Sequence, residues 1–264
     1  MQIEFADKVV LITGSSGGFG LATAEAFLES GASVMLNGTN PAKLETALEG
    51  LNTKFDNVRC CVADIATSDG VAQLFRETAQ RFQSLDILIN NAGVSRNTAF
   101  LEISEDEWSQ VLDVNLKGCV LTSQAFAKQA ISSGRSGKIV NILSGNYLWT
   151  RAGSAHYSAS KAALEMLTRS MAIELGEHRV NVNAVAPGLM DLGKRGGRGP
   201  AQAFVDIYLN GVPLNRIGEV EDVTGAVLFM ASEHADFITG STILVDGGYA
   251  AGRLDLPLAP PPQG

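Results

Sequence analysis

The chain has 264 residues, 45% of them hydrophobic, and a formal net charge of −8. That length can bury a full core, and the acidic balance argues against nucleic acid or anionic membrane as partners held by bulk charge. No stretch approaches the roughly 20 apolar residues of a membrane helix, and Met1 to Lys8 carries charges without an apolar run, so no membrane span and no signal peptide are expected.

In chain order, short β-rich runs alternate with longer amphipathic segments. Val9 to Thr13 reads as a strand ending at Gly14, and Ala22 to Leu28 as a helix. Ser33 to Asn37 is the second strand and Pro41 to Leu51 the next helix. Val58 to Val62 is the third strand, followed by a helix from about Asp69 to Phe82. Asp86 to Asn90 is the fourth strand, and a long helical region runs from about Glu105 to Ser132. Lys138 to Leu143 is the fifth strand, Tyr157 to Leu175 a helix, and Val180 to Ala186 the sixth strand. Glu221 to Ser232 and Thr242 to Val245 are the last helix and strand. This alternation predicts an α/β fold: a Rossmann-like, doubly wound parallel sheet of about seven strands with helices on both faces. No composition break divides the chain, so residues 1–255 are expected to form a single domain, with a proline-rich tail over 256–264. Gly193 to Pro200 is too glycine-rich for helix or strand and is expected to be a mobile loop.

The three cysteines, Cys60, Cys61 and Cys119, include no Cys-x-x-Cys pair. They point to a reducing, cytoplasmic setting and to no metal site.

The first strand runs into Thr13-Gly14-Ser15-Ser16-Gly17-Gly18-Phe19-Gly20. A glycine-rich turn between a strand and a helix lets backbone approach a pyrophosphate closely, and the helix N-terminus offers free N–H groups to its charge. A flexible turn is the bland alternative, but the strand before and the helix after are the context that dinucleotide binding requires. Further on, Tyr157-Ser158-Ala159-Ser160-Lys161 places a phenol and an ammonium on one helix face. A nearby cation stabilises a phenolate, so Tyr157 could exchange a proton with a substrate oxygen.

The spacing T-G-x-x-x-G-x-G resembles the loop of the short-chain dehydrogenase/reductase family, with Gly14, Gly18 and Gly20 at the motif glycines. The likeness continues through Asp64 after the third strand, Asn90-Asn91-Ala92-Gly93 after the fourth, Pro187-Gly188 after the sixth, and Asp246-Gly247-Gly248 near the C-terminus. The resemblance implies an NAD(P)(H)-dependent oxidoreductase that interconverts a secondary alcohol and a ketone. It implies cofactor contacts from Gly14, Ser15, Ser16, Gly18, Phe19, Gly20, Gly38, Thr39, Asp64, Ile65, Asn91, Ala92, Gly93, Tyr157, Lys161, Pro187 and Gly188. It also implies a catalytic set of Asn115, Ser144, Tyr157 and Lys161. In that set Ser144 bonds the substrate oxygen, Tyr157 carries the proton, Lys161 holds the nicotinamide ribose, and Asn115 holds a relay water.

The chain departs from the family at two points. At the end of the second strand, Asn37-Gly38-Thr39-Asn40 has neither the acid of NAD-preferring members nor the arginine of NADP-preferring ones. The missing negative charge leaves room for a 2′-phosphate, with Thr39, Asn40 and Ser15 as candidate partners, and tips the expectation toward NADP(H). After Pro187-Gly188, Leu192 stands where many relatives carry a threonine.

Two other readings stay open. One is a catalytically idle dinucleotide-binding sensor or scaffold. The other is a different chemistry on the same fold, such as epimerisation or C=C reduction; family enoyl reductases space their Tyr and Lys more widely than here. By resemblance a homotetramer, or at least a dimer, is expected, and the helix after Tyr157 carries more apolar surface than one stripe needs. Tyr147 and Trp149 follow Ser144 at the carboxyl end of a strand and are read as a pocket wall, with core or interface as the alternative. Lys194, Arg195 and Arg198 either attract an anionic substrate or form a solvated run that keeps the loop soluble.

Overall fold

A computed structural model describes residues 3–193 and 199–252. The expected loop cations Lys194, Arg195 and Arg198, and the tail over 256–264, lie outside the described residues.

Seven strands form one sheet in the order β3-β2-β1-β4-β5-β6-β9. They are β1 (Val9–Ile12), β2 (Ser33–Gly38), β3 (Val58–Val62), β4 (Ile87–Asn90), β5 (Gly137–Ile142), β6 (Val180–Pro187) and β9 (Thr242–Val245). Every pairing is parallel. The chain runs outward from β1 to β3, then crosses back so that β4 lies on the other flank of β1, with Ile12 level with both Leu36 and Ile89. A crevice opens beyond the carboxyl ends of β1 and β4, where the strand order reverses, and this is where open α/β sheets bind ligands.

Parallel strands covered on both faces read as continuous apolar runs, and β1 shows why. Val10 and Ile12 pack with Phe27, Leu44 and Val227 on one face, while Val9 and Leu11 pack with Leu74, Phe126 and Ala130 on the other. The first face is covered by α1 (Gly18–Glu29), α2 (Pro41–Asn52) and α8 (Val220–Ala231), and the second by α3 (Ser68–Phe82), α5 (Gly118–Ser132) and α6 (Ala155–Leu175). Helix starts follow local chemistry. Asn40 caps α2 ahead of Pro41 by accepting from the Lys43 N–H, and Thr67 caps α3. Ser104 caps α4 (Glu105–Leu112), whose first turn holds three acids.

The helical region expected over 105–132 is continuous but not uniform. Between α4 and α5, residues Asp113–Lys117 form a single turn of wider π geometry with Asn115 buried inside it. Two features escaped periodicity: the short helix α7 (Gln202–Leu209) and a two-residue parallel ladder of β7 (Met190–Asp191) with β8 (Gly218–Glu219). Among the described residues no helix is long and apolar enough to cross a membrane.

Candidate active site

The glycine loop after β1 is cramped in ways that only glycine satisfies. Gly14 has φ +64°, and a Cβ there would sit 2.7 Å from the Ala92 Cα. A Cβ on Gly20 would lie 2.5 Å from the Gly14 carbonyl oxygen. Gly17 is the N-cap of α1, with no side-chain cap bond and no acid in the first turn. The amides at this end therefore face the crevice with a positive helix end and no competing side chain, an arrangement that suits a pyrophosphate.

The segment after β4 locks this loop in place. Thr13 Oγ1 accepts from the N–H groups of Asn91 and Ala92 at 3.0 Å each. The Asn91 side-chain amide donates to the Thr13 and Gly14 carbonyls at 2.9 Å. Asn91 thus shapes the cradle with its side chain.

Ser15 corrects an expectation. Its hydroxyl donates to the Ile12 carbonyl at 2.8 Å and accepts from the Asn37 N–H at 2.9 Å, and the residue is fully buried. It ties the loop to β2 and cannot also bond a phosphate at the ribose. Asn40 commits its Oδ1 to the α2 cap, which leaves its Nδ2 donor out of that bond, and both Thr39 and Asn40 are exposed after β2. Ser16 lies beside Gly38, its Oγ 3.4 Å from where a Cβ would be. The Ile65 side chain is buried against Gly118, so a cofactor contact there would come from its backbone. Asp64 is exposed and accepts from the Ala66 N–H at 2.9 Å. Phe19 and Leu192 are half-buried against the α1-side core, with Leu192 reaching toward Gly18. Gly188 is held under Asp246, where a Cβ would meet it at 2.8 Å, and its N–H donates to the Val245 carbonyl.

Across the crevice lie Asn115, Ser144, Tyr157 and Lys161. Lys161 is buried, donates to the Ile142 carbonyl at 2.7 Å, and places its Nζ 5.7 Å from the centre of the Tyr157 ring. A Cβ on Gly93 would lie 3.7 Å from that Nζ and 3.4 Å from Asn115 Oδ1, so the loop after β4 closes down on the pair. The Asn115 amide is engaged at both ends. Its Oδ1 accepts from the Val94 N–H, and its Nδ2 donates to the Val94 carbonyl and to Ser160 Oγ. Ser160 in turn donates to the Tyr157 carbonyl at 2.7 Å.

A buried latch sets the position of Tyr157. Its N–H donates to His156 Nδ1 at 3.0 Å, and His156 Nε2 meets Glu107 Oε1 at 2.9 Å. With Nδ1 accepting, the proton of the neutral ring belongs on Nε2, facing the carboxylate. Thr98 also donates to Glu107. These two hydrogen bonds, Thr98 first and His156 second, hold the Glu107 carboxyl below its usual range.

Ser144 and Tyr157 line one cavity of about 150 Å³, together with Asn146, Trp149, Arg151 and Phe204 among others. Only half of the expected aromatic wall is there. Trp149 lines the cavity, while Tyr147 packs on the cluster of Cys119, Leu143 and Leu164. The indole Nε1 of Trp149 is buried with no hydrogen-bond partner. Tyr208 also lines the cavity. It stacks on Tyr249 at 4.2 Å and its hydroxyl accepts from the Leu189 N–H, while burial pushes its phenol up to about 12. Burial likewise raises the thiols of Cys61 and Cys119 to about 11, which removes them as thiolate nucleophiles.

Sequence reasoning missed Arg151, Phe204, Tyr208 and the His156–Glu107 latch. The first three meet only because α7 folds over residues 149–151, and nothing in their spacing announces that.

A family model described as enoyl-(acyl carrier protein) reductase matches residues 14–250. With that match, and with the fold and crevice described above, the chain belongs to the short-chain dehydrogenase/reductase family: it is an NAD(P)(H)-dependent oxidoreductase acting between alcohol and carbonyl. It is 34% identical to a 3-oxoacyl-[acyl-carrier-protein] reductase of Chlamydia muridarum, over 95% of this chain and all of that one. It is 36% identical to the gluconate 5-dehydrogenase of Gluconobacter oxydans, over 90% of this chain and 93% of the other. Among solved structures, a gluconate 5-dehydrogenase from Burkholderia cenocepacia in complex with NADP and tartrate superimposes with a TM-score of 0.88 at 33% identity, covering 95% of this chain and 98% of that one.

Proposed function

We propose that the chain interconverts a secondary alcohol and a ketone with Tyr157 as acid/base and NADP(H) as the favoured cofactor. The observation that carries this reading is the convergence of Ser144 and Tyr157 on one cavity, with the Lys161 Nζ buried beside the Tyr157 ring.

The amides at the start of α1, with Gly14, Gly18 and Gly20, hold the pyrophosphate, and Asp64 holds the adenine edge. Lys161 and the loop through Gly93 hold the nicotinamide ribose. When bound, the nicotinamide supplies or accepts the hydride; the protein supplies alignment and charge. In the reducing direction Ser144 and Tyr157 donate hydrogen bonds to the carbonyl oxygen, and Tyr157 gives its proton to that oxygen as the alcohol forms. Lys161 keeps a positive charge beside the phenolate left behind. Asn115 ties the loop after β4 to the start of the Lys161 turn through Val94 and Ser160, and it keeps an acceptor lone pair on Oδ1 for the relay water.

The lean to NADP(H) rests on Gly38 and Thr39: no carboxylate stands at the end of β2 to repel a 2′-phosphate, and of the candidate partners the exposed Thr39 and Asn40 remain. We assign the chemistry to a single domain, residues 1–255. The free cysteines among the described residues fit a reducing cytoplasm. The exposed Met166 and Ile173 on α6 fit a homotetramer or dimer. An idle sensor could use Lys161 to hold the ribose but would have no use for Ser144 and Tyr157 facing one cavity beside it.

The test is Tyr157→Phe assayed with NADPH and a panel of ketones. The substitution keeps the ring and removes the proton, so turnover should fall at least about 10²-fold while NADPH titration still saturates. Retention of a tenth or more of the wild-type rate would refute Tyr157 as the acid/base. Failure of the wild type to oxidise NADPH or NADH with any ketone would favour the sensor reading.

A further inference from the structure

Arg151 is the one ionised side chain among the residues lining the cavity that holds Ser144 and Tyr157; the rest are serines, asparagine, aromatics, proline, glycine and leucine. It lies on the segment between Trp149 and α6, close in sequence to the reacting tyrosine. In a chain of net charge −8, a cation at this place calls for an explanation.

Its partners are all neutral. Nη1 donates to Asn97 Oδ1 at 2.9 Å and to the Ala152 carbonyl at 3.3 Å. The guanidinium carbon sits 5.5 Å from the centre of the Phe204 ring, on α7. Among the described residues no carboxylate pairs with it. These contacts fix the direction of the fork without cancelling its charge. An arginine held by neutral acceptors and an aromatic face keeps further N–H donors for an oxyanion. Gly153 makes the arrangement possible: its φ is +79°, and a Cβ there would lie 2.3 Å from Asn97 Oδ1, the acceptor that orients Arg151. Surface arginines usually pair with acids or trail in solvent. This one is braced on three sides and lines the cavity of the reacting oxygen.

We infer that Arg151 is the anion-recognition residue of the substrate cavity, and that the substrate is a small hydroxy or keto acid whose carboxylate lies against this guanidinium while its reacting oxygen lies between Ser144 and Tyr157. The inference rests on the alcohol–ketone reading above and adds the substrate's charge to it. A cavity of about 150 Å³ suits a molecule of few heavy atoms, for which one charge-assisted contact is a large share of the binding energy.

The test has a binding arm and a turnover arm. In the first, lactate, tartrate and gluconate are titrated calorimetrically into the NADP+-loaded enzyme, as wild type, Arg151→Gln and Arg151→Lys. At least one acid should bind the wild type, about 10- to 100-fold more weakly to Arg151→Gln, and with intermediate affinity to Arg151→Lys, which keeps the charge but loses the planar fork. NADP+ affinity of each variant reports on folding. If no acid binds the wild type more tightly than Arg151→Gln, the inference is overturned. In the second arm, D-gluconate is compared with D-glucitol, which replaces the carboxylate by a hydroxymethyl group, and acetoacetate with its ethyl ester. The ratio of kcat/KM for acid over neutral partner should fall by about the same factor in Arg151→Gln, and the wild-type ratio should fall with added salt. Wild-type preference for the neutral partners overturns the inference while leaving the ketone reductase reading in place. Acid binding without turnover of any ketone or alcohol points instead to failure of that reading.

Discussion

Lys161 donates to a single carbonyl, that of Ile142, and is paired with no carboxylate among the described residues. Such a buried ammonium costs desolvation energy, so its position must be held by the packing of α6 against β6, where Leu164 meets Ala184 and Ala186. Lys161→Ala should therefore lower both NADPH affinity and kcat, each by about 10-fold or more; fluorescence titration and steady-state rates measure the two separately, and an unchanged NADPH affinity would contradict the double role. Gly14 is a second single-residue case. Gly14→Ala puts an L-residue at φ +64° and a methyl 2.7 Å from the Ala92 Cα. Thermal unfolding should show a loss of about 1–3 kcal/mol, with weakened cofactor binding because the loop and the segment after β4 are forced apart.

At the scale of elements, two polar networks join parts that hydrophobic packing alone would leave free to slide. The first is the latch between α4 and the start of α6, Thr98–Glu107–His156–Tyr157. Glu107 is held below its usual value of 4.5, so it stabilises the fold above that value, and the contribution is lost as pH falls through its lower folded value. The melting temperature of the wild type should drop on acidification below pH 4.5, and Glu107→Gln should show a smaller acid-side drop. Above that range Glu107→Gln should also lower kcat more than it changes the KM for NADPH, since the latch sets the place of Tyr157. The second network runs through the sheet. Asn90 on β4 donates to Ser123 Oγ and Asn141 Oδ1 and accepts from Thr122, and Asn141 donates to Thr168. It ties β4, α5, β5 and α6 together directly beneath the reacting residues. Asn90→Ala would leave several buried partners unpaired and should cost about 2–4 kcal/mol in urea unfolding.

For the whole molecule, the surface of α6 bears on assembly. Leu164 and Ala172 are buried inside the subunit, yet Met166 is 57% exposed and Ile173 is 83% exposed on the same helix. Paired helices around a two-fold axis would cover them. Sedimentation at micromolar concentration should give a dimer or tetramer, and Met166→Glu with Ile173→Glu should shift it to smaller species; a wild-type monomer would refute the assembly. A separate acid response belongs to the other side of the subunit. Asp222 accepts from Arg216 and from the Glu219 N–H, and these hold it down to about 2. Its stabilising effect is present above the ordinary carboxylate range and fades as pH falls toward 2. Asp222→Asn should remove that part of the acid-side slope in thermal melts.

The seven-strand parallel sheet was legible in the sequence because β-rich runs, buried on both faces, alternate with amphipathic helices, and period and length are local properties. The glycine loop was legible for a similar reason: its backbone needs are written in consecutive residues. Tyr157 and Lys161 share a face by helix geometry alone, while Ser144 and Asn115 entered by family resemblance. What needed the tertiary structure was every relation between distant segments. Ser15 reads as a candidate phosphate partner until β2 is seen bonded to it. Tyr147 and Trp149 stand two positions apart, yet one packs on the core and the other lines the cavity. Arg151 is an unremarked cation until α7 brings Phe204 over it and Gly153 brings Asn97 beneath it. Such contacts join residues about 50 positions apart, so they follow from how the layers pack and leave no periodic signal along the chain.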